Sequence, residues 1–286
     1  MPCAVCTNKK FIPILKKDSL ELLKCRNCGL VQVKNLSLAF NPKNYEYYCK
    51  RQNFSRNELY NPITEKRYQS LLRSLEPYRK YNRLLDIGCG EGHFLHVAKK
   101  MGWNTRGLDA SSDAVKICEK FGIEAECANL PETGMRDNYY DIVTMFEVVE
   151  HLASPKEYLH TINRILRKGG ALLLTTPNFG SLMRILLHHK WTCINEGHLL
   201  YFTPRTIKKL IKESDFSIIN LKTKNISLPE LMKIFKPSVK NIYRRNQGLR
   251  SAIEEISVLS NIKADINKIL NAVRLGETIE CMCRKQ

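Results

Sequence analysis

The sequence predicts an α/β protein built on a mostly parallel sheet, preceded by a small cysteine-bearing module. Strand-like and helix-like segments alternate from residue 83 to residue 176, and a glycine-rich loop follows the first strand. Two Cys-x2-Cys pairs stand near the N-terminus. Alternation of this kind is typical of a parallel sheet covered by helices on both faces.

The elements are expected in a regular order. A helix from Thr64 to Arg79 leads into the sheet. Ser154-Pro155 and Thr203-Pro204 each predict a helix start, because Ser or Thr caps the helix and proline fits its first position. We expect strands at 83–87, 104–108, 123–127, 141–146, 170–175, 216–221 and 278–283, and helices at 92–101, 112–121 and 155–167.

Three regions follow from this pattern. Residues 1–35 form the cysteine module, with short apolar runs beside the cysteine pairs as in hairpin strands. Residues 36–80 form a linker and the leading helix, and residues 81–286 form the main domain. Within that domain a basic, mainly helical insertion is expected at 226–274, before the last strand.

The net charge of +18 is concentrated at the two ends of the chain. Residues 1–80 carry 16 Lys and Arg against 6 Asp and Glu, residues 226–286 carry 11 against 6, and the middle carries 19 against 16. Such flanks are either solvated surface or a contact for an anionic partner such as nucleic acid, a phosphorylated carrier or a membrane surface.

The chain is expected to be cytoplasmic. It has no run of eighteen apolar residues that could span a membrane, and its start lacks a signal-peptide pattern. The eleven cysteines are then expected to stay reduced.

The glycine loop indicates the ligand. Its order is Gly88-x-Gly90-x-Gly92, whereas a dinucleotide fingerprint places the third glycine one residue later. Asp86 ends the preceding strand and Asp109 ends the next. The first carboxylate suits a cation or an amino group better than a pyrophosphate, and the second can accept hydrogen bonds from ribose hydroxyls. A nucleoside with a positive charge and no phosphate fits both, and S-adenosylmethionine is such a ligand.

From about residue 83 to 225 the chain resembles the class I S-adenosylmethionine-dependent methyltransferases. Four segments carry the resemblance in the family's order, namely Asp86–Gly92, Leu108–Ser111, Tyr140–Leu152 and Leu166–Gly170. The resemblance implies a Rossmann-like, doubly wound, mostly parallel seven-stranded sheet. It places the cofactor against Asp86, Gly88, Cys89, Gly90, Gly92, Asp109, Ala110, Asn129, Leu130 and Phe146.

One of these positions departs from the family pattern. Asn129 stands where many relatives have an aspartate that binds the adenine amino group. Its side-chain carbonyl can still accept that hydrogen bond.

The four N-terminal cysteines predict a metal site. Cys3, Cys6, Cys25 and Cys28 match the zinc spacing Cys-x2-Cys-x15–20-Cys-x2-Cys. Four sulfur ligands close the coordination sphere, so the zinc would be structural. A redox pair and a ribbon that no longer holds metal remain alternatives. The other seven cysteines have no partners at ligand spacing and are expected to be structural.

The segment Cys25–Val31 also resembles the N-terminal ribbon of a subgroup of bacterial methyltransferases. That subgroup is frequent in sugar and cell-surface glycan pathways. The resemblance therefore implies a sugar-like or glycan acceptor.

Two histidines are candidates for a general base. His151 follows the fourth strand of the sheet, and His198 lies in the segment after the fifth. Histidine titrates near neutral pH and can deprotonate an alcohol acceptor. We predict His198 as the base and His151 as the alternative. A helix-start histidine bonded to backbone stays open for His151, and a loop-packing role stays open for His198. If neither acts, Glu147, Glu150 or Tyr201 would have to.

Three functions remain open at this stage. The first is methyl transfer to a sugar, a glycan or another small metabolite. The second is RNA methylation at a ribose or a ring carbon, with the basic ribbon and flanks on the phosphates. The third is a non-catalytic module that binds the cofactor or a partner. Aromatic residues Trp191, Tyr201 and Phe202 either line an acceptor pocket or anchor a loop.

Overall fold

The computed structural model describes residues 2–36, 62–225, 265–266 and 268–286. Most of the predicted linker and most of the insertion at 226–274 lie outside the described residues. The strands are β1 (Phe11–Lys17), β2 (Leu20–Cys25), β3 (Val31–Val33), β4 (Arg83–Ile87), β5 (Asn104–Asp109), β6 (Ala125–Cys127), β7 (Tyr140–Phe146), β8 (Leu166–Pro177), β9 (Leu200–Tyr201), β10 (Phe216–Lys224) and β11 (Thr278–Lys285). The α-helices are α1 (Pro62–Leu75), α2 (His93–Lys100), α3 (Ser112–Lys120), α4 (Pro155–Ile165), α5 (Leu182–Leu187) and α6 (Pro204–Lys212).

The larger sheet has seven strands in the order β10-β11-β8-β7-β4-β5-β6. The five strands from β8 to β6 are parallel, and β11 runs antiparallel to both of its neighbours, β8 and β10. This confirms the predicted mostly parallel seven-stranded sheet. Strand order reverses at β4, because the chain continues to β5 on one side and later places β7 on the other. Ligands of open α/β sheets bind at the carboxyl ends of the strands beside such a point.

The central strands are apolar on both faces because helices cover both. Leu84, Leu85, Ile142, Val143 and Leu172 have no accessible surface. Parallel strands that are buried on both faces have continuous apolar sequences, and this pattern allowed the central strands to be predicted.

Several element boundaries differ from the prediction: α1 spans Pro62–Leu75 rather than 64–79, and β10 and β11 extend beyond 221 and 283. Two further differences follow from strand pairing. β8 begins at Leu166 rather than at 170, because Tyr140 already pairs with Leu166 ahead of an irregularity in the ladder, and α4 therefore ends at Ile165. β6 begins at Ala125 rather than at 123, because it pairs only with Gly107–Asp109 and Ile123 is buried in the helical layer instead.

One of the two predicted helix caps is present in the structure. Thr203 caps α6, since its hydroxyl accepts from the Thr206 amide in a capping box. Ser154 precedes α4 but makes no capping bond. Its ψ of 68° departs from the extended backbone in which a capping hydroxyl reaches the second or third amide.

The cysteine module belongs to a second, antiparallel sheet in the order β1-β2-β3-β9. Its last strand comes from the main domain, because Val31 pairs with Tyr201 and Gln32 with Leu200. One apolar core continues across the two sheets and includes Leu22 and Leu30 on one side and Phe202 and Ile207 on the other. The module therefore packs directly against the segment that follows residue 198.

None of the helices in the described ranges combines the length and the apolar character needed to cross a bilayer.

Candidate functional site

The glycine loop joins β4 to α2. Gly88, Gly90 and Gly92 have φ of +72°, +53° and +79°, which L-side chains rarely adopt. A Cβ on Gly88 would stand 2.3 Å from Val148, and one on Gly92 would stand 2.7 Å from Ile123. A Cβ on Gly90 would meet nothing within 4 Å. Packing therefore requires glycine at the outer two positions, and only Gly90 borders open space where a ligand can lie.

Asp109 fixes this loop to the end of β5. Its Oδ2 accepts from the Gly90 amide at 2.8 Å, and its Oδ1 accepts from the Ser111 amide at 2.8 Å. Each carboxylate oxygen keeps a further lone pair. The arrangement leaves Asp109 able to accept hydrogen bonds from a ligand hydroxyl as well.

Asp86 is buried at the end of β4, and Thr144 Oγ1 donates to its Oδ1 at 2.6 Å. Burial raises the pKa of Asp86 to about 7, the Thr144 hydrogen bond opposes that shift, and the Asp109 charge adds to it. The partly protonated carboxyl gains its full charge when a cation binds beside it. The sequence did not identify Thr144, because an alternate polar residue in a buried strand gives no distinctive signal.

We expect affinity for S-adenosylmethionine to rise with pH through about 7, by up to about tenfold per pH unit below that value. The cause is the sign of the shift: below pH 7 the free chain holds a neutral Asp86, which must lose its proton to face a cation. Calorimetry from about pH 5.5 to 8.5 measures the slope. Asp86→Asn should flatten it, and an unchanged slope in that variant would contradict this role for Asp86.

The remaining predicted cofactor residues are placed as follows. Cys89 turns its side chain inward, where its Sγ lies 2.6 Å from the position of a Cβ on Gly107, so only its backbone can face a ligand. Tyr158 Oη donates to Asn129 Oδ1 at 3.4 Å. Leu130 is buried and Ala110 is exposed. Phe146 packs edge-on against Phe94, with ring centroids 5.1 Å apart.

A carboxylate and two histidines meet beyond β7. The ligand atoms of Glu150, His151 and His198 all lie within 4.8 Å of one another. The two imidazole centroids are 4.8 Å apart, and His151 Nδ1 lies 2.6 Å from the Gly197 carbonyl oxygen. The structure thus brings together both predicted histidines, which are 47 positions apart in the chain.

Glu150 completes this group. Its side chain is 1% exposed, and its Oε2 accepts from Thr176 Oγ1 at 2.9 Å. Its Oε1 has no hydrogen-bond partner within the part of the chain that the structure describes. Such a set can hold a divalent cation or handle a proton at a substrate.

Burial sets the protonation of the group. It lowers the pKa of His198 to about 3, with nearby His151 adding to the effect, and it lowers the pKa of His151 as well. Burial raises the pKa of Glu150 well above its usual value, and the neighbouring Glu147 raises it further. At neutral pH both imidazoles are therefore uncharged and can accept a hydrogen bond or a proton.

The aromatic residues near His198 serve as anchors. Trp191, Tyr201 and Phe202 are at most 3% exposed. Phe179 packs between them, with its ring centroid 5.4 Å from that of Tyr201 and 6.3 Å from that of Trp191. The side chains fix the segment that carries His198 rather than forming an open wall.

The four N-terminal cysteines form a compact cluster. Their sulfurs all lie within 4.8 Å of one another, with Cys3 to Cys28 and Cys6 to Cys25 both at 3.5 Å. Zinc–sulfur bonds of about 2.3 Å place the sulfurs of a regular tetrahedron about 3.8 Å apart. The Leu30 amide also donates to the Cys28 sulfur at 3.4 Å. The cluster therefore has the donor set and the spacing that zinc requires.

The fold and the glycine loop define a class of protein. A seven-stranded sheet in which β11 alone runs against the other strands, with acids ending β4 and β5 beside the loop, is that of class I S-adenosylmethionine-dependent methyltransferases. Residues 60–221, more than half of the chain, match the family model described as "Methyltransferase domain". The chain belongs to this family.

Two curated relatives are similar to this chain over slightly less than half of its length. The ubiquinone biosynthesis O-methyltransferase of Parvibaculum lavamentivorans is 27% identical over 139 residues, which cover 46% of this chain and 53% of that protein. The mitochondrial ubiquinone biosynthesis O-methyltransferase of Schizosaccharomyces pombe is 27% identical over 152 residues, or 47% of this chain and 52% of that protein. The chain thus spans about half the length of these relatives.

A solved structure supports the fold. The S-adenosylmethionine-dependent methyltransferase of Archaeoglobus fulgidus matches with a TM-score of 0.55 at 23% identity. The match covers 84% of this chain and 99% of that one. At this identity the likeness concerns the fold alone.

Proposed function

We propose that the chain transfers a methyl group from S-adenosylmethionine to a hydroxyl group of a small-molecule acceptor. Glu150, His151 and His198 together form the acid–histidine group. The observation that carries the proposal is the contact between the glycine loop and the segment that leads into this group. The Gly88 backbone packs on Val148, and the turn Val149–His151 follows at once. A cofactor on the loop would therefore present its methyl group near His151. Relatives that are named O-methyltransferases support oxygen as the methylated atom.

The loop and its acids would hold the cofactor. S-adenosylmethionine, when bound, supplies a methyl group on a positively charged sulfur that leaves as a neutral thioether. Gly90 allows close approach, Asp109 accepts from the ribose, and ionised Asp86 attracts the positive charge. Because the leaving group is already good, the chain mainly has to position the acceptor.

His151 is the better base of the two histidines. Its Nδ1–H is directed at the Gly197 carbonyl oxygen, which leaves the Nε2 lone pair as the acceptor. His198, with a pKa of about 3, is a weak base at neutral pH. We therefore assign proton removal to His151 and give His198, packed edge-on against it, the task of orienting the ring.

His151→Ala should lower turnover by about 10²–10⁴-fold, the usual contribution of general-base catalysis. Affinity for the cofactor should barely change, because His151 is not among the residues predicted to contact the cofactor. His160→Ala is a matched control, since His160 is an exposed histidine on α4. Transfer of labelled methyl to a panel of phenols, free sugars, nucleotide sugars and RNA measures the effect.

Several outcomes of that assay would overturn the proposal. Near-normal turnover of His151→Ala would show that His151 is not the general base. Transfer to RNA alone would replace the small-molecule acceptor by the nucleic-acid alternative. Binding of cofactor with no turnover on any acceptor would favour a non-catalytic module. Loss of turnover in EDTA with recovery on adding Mg²⁺ would give Glu150, His151 and His198 a cation-binding role instead.

We also propose that Cys3, Cys6, Cys25 and Cys28 hold a structural zinc ion. The all-sulfur donor set and the spacing of the sulfurs support it. Such a small module has little core of its own, so metal binding would supply much of its folding free energy. A sugar-like acceptor remains the finer proposal, carried by the resemblance of this ribbon to those of glycan-pathway enzymes.

A further inference from the structure

A cavity of about 370 Å³ lies between the cysteine module and the starts of α5 and α6. Its walls include Gly29 of the module, the ring of Phe179, and Thr203 at the start of α6. The volume falls in the range of roughly 300–1,000 Å³ that is typical of small-molecule sites. Neither the glycine loop nor His151 or His198 lines it, so the cavity is separate from the proposed cofactor site and from the proposed base.

The side-chain charge in this cleft is mainly positive. Lys24 from β2, Arg184 from α5 and Arg205 from the first turn of α6 all line it. Its described lining contains no Asp or Glu, and its one source of negative charge is Cys28, a proposed zinc ligand. None of the three cations forms a salt bridge within residues 2–36, 62–225, 265–266 or 268–286. Three like charges around one concave space repel one another, and a bound anion would relieve that repulsion.

Arg184 is prepared for such an anion. Its guanidinium stacks on the Phe179 ring, 4.1 Å from the centroid, which fixes its plane. Its Nε is buried and has no hydrogen-bond partner among the described residues. Burial also lowers its pKa, so a neighbouring negative charge would favour the charged form. The planar fork of donors on a guanidinium matches two oxygens of a phosphate.

We propose that this cleft binds the phosphate or pyrophosphate group of a small molecule. Arg184 supplies a fixed bidentate contact, and Lys24 and Arg205 supply charge from the two facing walls. The ligand would bridge the cysteine module and the main domain. The inference stands independently of the methyl acceptor, because none of its residues belongs to the glycine loop or to the acid–histidine group.

Calorimetry with inorganic pyrophosphate tests the site on the full chain at about 50 and 200 mM salt. We expect one saturable site per chain, weakened at least tenfold by Arg184→Gln and clearly by Arg205→Gln. Lys212→Gln and Arg26→Gln are matched controls, because these cations are exposed on α6 and on the cysteine module but do not line the cleft. Both should bind like the unmodified chain.

Three results would overturn the inference. The first is no saturable binding. The second is equal weakening by the control variants, which would indicate diffuse surface charge. The third is RNA binding that is tighter than pyrophosphate binding and depends on the same cations, which would indicate a nucleic-acid surface. Arg205 is exposed, so its variant keeps the test decisive even if Arg184→Gln disturbs folding. Methyl-transfer assays on the same variants separate a failure here from a failure of the proposed activity.

Discussion

Gly90→Val is expected to weaken S-adenosylmethionine binding by about 10²-fold while the domain stays folded. The new side chain would enter the only open space beside the three loop glycines. Overpacking against a bound ligand costs about 1–3 kcal/mol, and the loss of a close backbone approach adds to that. Calorimetry of cofactor binding, with circular dichroism for folding, measures both effects.

Gly122→Val is the matched control for this variant. Gly122 also has a positive φ, +66°, and a Cβ there would likewise meet nothing within 4 Å, yet it is an exposed residue that follows α3. Both variants carry a similar backbone strain of about 1–3 kcal/mol. If both lose cofactor binding equally, strain rather than the site is responsible. If neither does, the glycine loop does not hold the cofactor.

The double variant Cys25→Ser/Cys28→Ser should lose one zinc ion per chain and unfold the cysteine module. Zinc contributes about 10–16 kcal/mol of apparent binding free energy in small modules, far more than the module's own core. Because β3 pairs with β9 directly after His198, turnover should fall as well, although neither cysteine touches the acid–histidine group. Elemental analysis, hydrogen exchange and the methyl-transfer assay check the three effects.

Cys127→Ser controls for the loss of a thiol. Cys127 is exposed on β6 and belongs to no cluster of sulfurs in the described chain. That variant should keep its metal. Full metal retention in the double variant would refute the zinc site, and exchange protection of β4 and β7 should survive in either case because these strands lie in the other sheet.

The parts of the fold that the sequence predicted are those with strong local signals. β4, β7 and β8 each contain a buried apolar run, and the glycine loop lies between a strand and a helix, so the sheet and the loop at its carboxyl edge could be predicted. β9 could not be predicted, because a strand of two residues is too short to show an alternating pattern. Its pairing with β3 also joins Tyr201 to Val31, which are far apart in the sequence. No local pattern reports a contact across that separation.

The residues of the candidate site could likewise be predicted only where a local sequence pattern marks them. Asp86 and Asp109 were predicted because each ends a strand beside the loop. Thr144 was not predicted, because its role is a single hydrogen bond to Asp86. That bond depends on the register between β4 and β7. The proposal that His151 rather than His198 acts as the base also depends on the structure, because it rests on the low pKa of buried His198 and on the contact of His151 with the Gly197 carbonyl oxygen.

The strand orders have a consequence for biosynthesis. β11 is made last of the strands described here, yet it lies between β8 and β10 in the larger sheet. β10 therefore waits on the ribosome without its neighbour until Thr278–Lys285 has emerged. The module at the start of the chain likewise lacks its fourth strand until Leu200–Tyr201 is available. Both sheets are thus completed by strands that are distant in the sequence, so a partly synthesised chain exposes unpaired strand edges, which are sites of pairing with other chains.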